Sequence, residues 1–127
     1  MPEKHLFEYA VIRIVPKVER EEFFNAGVIL YCAGKKFLQA LYKLDKDRLR
    51  LFCDDIELDS LRNNLDAIEK ICAGSADGGT IGRLAIAERF RWLTATRSTV
   101  VQSSKVHPGF CEDPALTLKE LYQKLVC

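Results

Sequence analysis

Leu6-Phe7-Glu8-Tyr9-Ala10-Val11-Ile12-Arg13-Ile14-Val15 is apolar at nearly every position on both parities, and only Glu8 and Arg13 carry charge. Successive side chains of a strand point to opposite faces, so a run that is apolar on both parities needs cover on both faces. Pro16 stops the run, and the charged connection Lys17-Val18-Glu19-Arg20-Glu21-Glu22 leads into a second strand, Phe23 to Cys32. Its even positions Phe24, Ala26, Val28, Leu30 and Cys32 are apolar, while Asn25 and Gly27 lie on the other parity. Ala33-Gly34-Lys35 is a hairpin-length turn into a third strand, Lys36 to Lys43. Three sequential strands with short links imply an antiparallel meander.

Helical spacing takes over beyond the meander. Asp45 to Phe52 reads as a short helix with Asp45 as its N-cap. Leu58 to Cys72 repeats Leu61, Leu65, Ile68 and Cys72 at threes and fours, and Ala73-Gly74 supplies a stop. Ser75 to Thr80 reads as a flexible loop, followed by a helix over Ala85 to Leu93. Thr99, Val100, Val101 and Val106 predict a fourth strand over Ser98 to Val106, ended by His107-Pro108-Gly109. Asp113 as N-cap and Pro114 in the first turn then open a final helix with Leu118, Leu121, Tyr122 and Leu125 as its buried stripe. The predicted fold class is α+β, an antiparallel sheet of about four strands with helices packed on it, in a single domain over residues 1–127.

Composition bounds the function. A chain of 127 residues with 48% hydrophobic and 29% charged residues can bury roughly two-thirds of its unfolded surface. Nineteen basic residues stand against eighteen acidic ones, a net charge of +1 that sets up no large field toward nucleic acid or membrane. The uncharged run from Phe23 to Gly34 falls short of the ~20 residues of a membrane helix. Met1-Pro2-Glu3-Lys4-His5 opens with charges and no apolar stretch of a signal peptide follows. Cys32, Cys53, Cys72, Cys111 and Cys127 form no closely spaced pair, and this odd, scattered set reads as reduced thiols in a cytoplasmic protein. Cys32 and Cys72 lie in apolar patterns and are expected in the core. His107 and Cys111 make one poor ligand pair, so no metal is expected, and no glycine-rich phosphate cradle of the P-loop or dinucleotide type is present. No cofactor is implied.

Three groups of polar residues need an explanation. Arg13 shares a parity with Phe7, Tyr9, Val11 and Val15; a symmetric hairpin would pair it with Asn25, and Val11 with Gly27. Arg13 is then either an anion contact or a buried arginine bonded to Glu19, Glu88 or a loop carbonyl. The segment from Arg83 to Lys105 holds five bases against one acid, and Arg97-Ser98-Thr99 offers a guanidinium, hydroxyls and amides to a phosphate beside Trp92. The plainer reading is a solvated basic face pairing with acids of the 45–69 region. His107 stands before a Pro-Gly pair, placed either as a general acid or base or as a turn cap. Glu88 or Glu19 would orient it, with Ser98 or Ser104 as nucleophile; His107 and Glu88 are the catalytic candidates, and enzyme action is left open.

At these same segments the chain resembles the bacterial family called domain of unknown function 3037. The stretches that carry the resemblance are Phe7 to Pro16, Glu19 to Cys32, Glu88 to Ala95, Arg97-Ser98-Thr99-Val100-Val101-Gln102, His107-Pro108-Gly109 and Asp113-Pro114. The chain has Thr96 where the family often has Pro, and Pro108 where it has Thr. The matching motif residues are Arg13, Asn25, Glu88, Arg89, Trp92, Arg97, Ser98, Gln102 and His107, and all but the catalytic candidate Glu88 are the expected binding residues. The resemblance implies no activity. It does imply a neighbourhood, since such proteins are often encoded beside a HipA-like serine/threonine kinase. Two expectations follow: an interaction or regulatory partner of such a kinase, or a small enzyme or binding domain for a phosphate-bearing ligand, nucleotide or nucleic acid. A third is a structural subunit whose polar cluster only stabilises the fold.

Overall fold

The computed structural model describes residues 3–52, 57–74, 78–97 and 99–127. The strands β1 (His5–Ile14), β2 (Phe24–Cys32) and β3 (Phe37–Tyr42) form the expected antiparallel meander. Helices α1 (Lys46–Phe52), α2 (Leu58–Ala73), α3 (Gly79–Gly82) and α4 (Ile86–Leu93) follow, then β4 (Val101–Ser103), β5 (His107–Cys111) and α5 (Pro114–Leu125). The sheet runs β3-β2-β1-β4, with β5 also paired to β1, so the fold is α+β.

Both faces of β1 and β2 are covered, as their double-parity apolar pattern requires. One face carries Phe7, Val28, Leu30 and Cys32 against Leu118 and Val126 at α5. The other carries Ile12 and Ile29 against Leu65, Ile71 and Cys72 of α2 and Phe90 and Leu93 of α4. Ile14, Phe24 and Ala26 continue that second face toward Leu49 of α1 and Leu61 of α2. The capping signals behave as expected. Asp113 accepts the amides of Ala115 and Leu116, Asp45 accepts the amide of Arg48, and Gly74 ends α2 at φ 72°. Cys32 and Cys72 are buried; Cys53 lies outside the described residues.

Three expectations are corrected. Arg13 does face Asn25, but Gly27 faces Ile12 and not Val11, because Ala26 is an extra residue on β2. A β-bulge of this kind sets two residues against one. Gly27 is required there: a Cβ would stand 2.5 Å from Leu41 O and 2.7 Å from Tyr42 Cβ.

The expected fourth strand, Ser98 to Val106, is split. Ser103 pairs with Ile12, and Ser104 N–H donates to Val11 O, but the next pairing is His107 with Tyr9. Lys105 and Val106 therefore stand against the single residue Ala10, and the chain re-enters the sheet at His107. His107-Pro108-Gly109 begins a strand where it was expected to end one. Pro108 is admitted because β5 pairs on one side only. The third correction is the loop of residues 75–80, of which Gly79 and Thr80 belong to α3, while residues 75–77 lie outside the described set.

Candidate anion site at the edge of the sheet

Arg13 projects from β1 between Gln102 of β4 and Asn25 of β2, and by strand alternation all three share the face that α5 covers. Their side chains then diverge. Asn25 Nδ2 donates to Leu125 O at 3.0 Å, satisfying a carbonyl at the end of α5. Arg13 turns toward the end of the β1–β2 hairpin, with its guanidinium carbon 4.2 Å from the centroid of the Phe23 ring. There it lines a cavity of about 360 Å³ with Val15, Glu21, Phe23, Thr96, Arg97 and Gln102.

Arg13 Nε is buried and has no hydrogen-bond partner among the described residues. Buried polar groups are nearly always paired, because leaving one unpaired forfeits its hydration without return. Neither Glu19, Glu88 nor a loop carbonyl supplies the expected structural bond. The ion pair among the described residues joins the exposed Arg20 and Glu22 at 2.6 Å.

Arg97 reaches the cavity from the segment after α4. Its Nη2 donates to Trp92 O at 2.5 Å and Nη1 to Leu93 O at 3.5 Å, so it caps the last turn of α4. Its guanidinium lies 4.3 Å from the Trp92 ring, and the remaining N–H groups are left for the cavity. Gln102 Nε2 donates to Thr99 O at 2.7 Å, which leaves its amide oxygen free to accept.

The other expected site residues lie elsewhere. Arg89 donates to the carbonyls of Ile71, Cys72 and Leu84 and belongs to the helical layer. Trp92 is 41% exposed and meets the cavity only through Arg97. Glu88 is exposed on α4, whereas His107 is exposed on the α5 side of the sheet, its ring 5.3 Å from that of Tyr9. The sheet separates the two catalytic candidates. His107 also stands four residues from the Arg13 level, about 13 Å along the strand. The same spacing keeps it from sharing an ion with Cys111, and no three potential metal ligands cluster among the described residues. Ser104 is buried and its Oγ is committed to the backbone of Val11 and Lys105, and Ser98 lies outside the described residues.

Four residues of the cavity are not among those the sequence singles out as a site: Val15, Glu21, Phe23 and Thr96. Glu21 has a left-handed φ of 57° that turns the chain from the 3-10 turn Val18–Arg20 into β2, and a glutamate in the sequence gives no sign of it.

Comparison with known proteins now adds membership. Residues 9–126 match the family described as "Protein of unknown function (DUF3037)". The chain belongs to this family. The match includes every residue of the cavity and both halves of the split strand, so the site lies wholly within the DUF3037 region. No curated protein and no solved structure matches the chain. Among the described residues no helix is long and apolar enough to cross a membrane.

Proposed function

We propose that this DUF3037 protein binds a small phosphate-bearing ligand in the cavity between β1, β4 and the segment after α4. The observation that supports this reading is Arg13: a guanidinium held on an aromatic ring, with a buried N–H that no described residue satisfies, opening on a cavity that Arg97 also lines. Two guanidinium groups suit the spread charge of a phosphate, and Gln102 adds a polar contact. Glu21 lines the same cavity, so the charge offered is a net +1. That favours a single small phosphate group over a polyanionic backbone.

The test is a thermal melt in inorganic phosphate and in a nucleoside monophosphate, each against chloride at equal ionic strength. Phosphate raises the melting temperature in a saturable way, as a ligand of the native state must. Arg13→Met removes that rise without lowering the melting temperature of the free protein, because it deletes an unsatisfied group. An equal response to chloride and phosphate would sink the reading.

A second reading is association with a HipA-like kinase. Phe23 at 44% and Trp92 at 41% exposure flank the two arginines, and exposed aromatics beside arginine are the usual anchors of a protein interface. Co-purification with such a kinase that Trp92→Ala abolishes would favour it, and Arg13→Met with full kinase binding would separate the two readings.

A further inference from the structure

The far edge of the sheet carries a second surface, unrelated to the cavity. Among the described residues β3 pairs with β2 alone. Lys43 N–H donates to Ala26 O at 2.9 Å, so the odd-numbered residues of β3 direct their backbone groups toward β2. The even-numbered residues Leu38, Ala40 and Tyr42 direct theirs outward. A groove of about 530 Å³ runs along this edge, lined by residues 36–41 and by Glu69, Cys72 and Ala73 of α2. Between Phe37 and Tyr42 there is no charge, proline or bulge, the devices that ordinarily keep an edge from pairing.

Charge selects the occupant. At one end of the groove, Tyr42 Oη lies 2.7 Å from Glu69 Oε2 and 2.9 Å from Asp66 Oδ1. A hydroxyl has one proton to share between the two carboxylates, and the negative charge gathered there favours a cation. At the other end Lys36, the left-handed residue (φ 50°) that leads into β3, lines the groove and has no carboxylate partner among the described residues. A strand carrying its cation at the opposite end, laid antiparallel, is complementary to this groove. β3 is itself such a strand.

We infer that the β3 edge is a self-association surface, on which a second copy of this chain adds its own β3 antiparallel about a twofold axis at Ala40. Ala40 then faces Ala40, and Leu38 faces Tyr42 of the second copy, so all three outward residues find backbone partners. Lys36, just before the strand, then comes to the Tyr42 end of the second copy, where its Asp66 and Glu69 stand. The twofold axis repeats the contact.

Sedimentation equilibrium of the full chain, between about 10 μM and about 1 mM, covers the affinities of an interface this small. The wild-type chain shifts from monomer to dimer across that range. Ala40→Pro removes an outward N–H that β2 does not use and abolishes the shift while the protein stays folded by circular dichroism. Lys36→Glu weakens association at least about tenfold, since it sets like charges together twice. The exchange Lys36→Glu with Glu69→Lys restores it, a result independent of whether the proline variant folds. A wild-type chain monomeric at about 1 mM overturns the inference and leaves the edge to an extended segment of another protein. Unchanged association of Lys36→Glu rejects the register.

Discussion

Arg89 and Arg13 are both half-buried arginines, and their surroundings give them opposite effects. Arg89 Nη1 lies 2.8 Å from both Ile71 O and Cys72 O, and Nε lies 3.1 Å from Leu84 O. The first two carbonyls end α2, where Ile71 O also accepts the Gly74 N–H and a positive charge interacts favourably with the helix dipole. Arg89→Met should cost about 2–3 kcal/mol in urea denaturation, the range for hydrogen bonds to a charged donor, whereas Arg13→Met should cost nothing. Arg89→Lys should recover only part of the loss, because an ammonium cannot span the three acceptors. Beneath Arg89, burial pushes the Cys72 thiol from 9.0 up to about 12, against a smaller downward pull from the guanidinium. The folded state thus holds this proton more tightly than the unfolded chain. Its contribution to stability is intact below pH 9 and is lost as pH rises through about 12, which a series of urea melts in alkaline buffers reads directly. At neutral pH a thiol reagent should modify the exposed Cys127 and spare Cys32, Cys72 and Cys111 until the chain unfolds.

At the scale of elements, periodicity decided what was legible. α2 and α5 announce themselves through a stripe at helical spacing and a stop or cap at the end, and both lie within a residue of where the sequence puts them. β4 and β5 were not legible because the break between them is made by one side chain. Val11 N–H donates to Ser104 Oγ at 2.8 Å, where a continuous strand would offer a carbonyl. Ser104 Oγ in turn donates to Lys105 O at 2.9 Å, which turns Lys105 and Val106 out of the ladder. Apolar content cannot show this, since Val106 has a strand-former's side chain yet is exposed. Ser104→Ala leaves the Val11 amide buried without an acceptor and should cost about 1–3 kcal/mol by chemical denaturation. Deleting Val106 in that variant removes the extra residue and lets the backbone carbonyl at 104 take over. The deletion should therefore recover stability in the alanine background more than in the wild type, a coupling that a double-mutant cycle measures.

For the molecule as a whole, β1 links the two ends of the chain. One of its edges pairs with β2 in a local hairpin, and the other pairs with residues 101–111, as in the bond between Val11 and Ser104, 93 positions apart. The candidate site inherits this division. The neighbourhood of Arg13 and Asn25 was legible because a hairpin fixes it locally. The arrival of Arg97 and Thr96 was not, because it depends on how α4 packs on the sheet and where the chain leaves it. The same connectivity governs folding. The meander covers neither face of β1 by itself: α5 covers one, and the other takes α4 and α2 together, which meet the sheet through one shared cluster. The single tryptophan, Trp92, sits on α4 against Arg97 and reports on the cavity, while far-ultraviolet circular dichroism reports on the whole backbone. The two signals should give coincident urea transitions with one midpoint, and refolding should take milliseconds to seconds, because distant strands must meet before either face of β1 is covered. If the tryptophan transition preceded the backbone transition, the cavity would open while the sheet stayed folded, and access to Arg13 would then be set by that local opening and not by global stability.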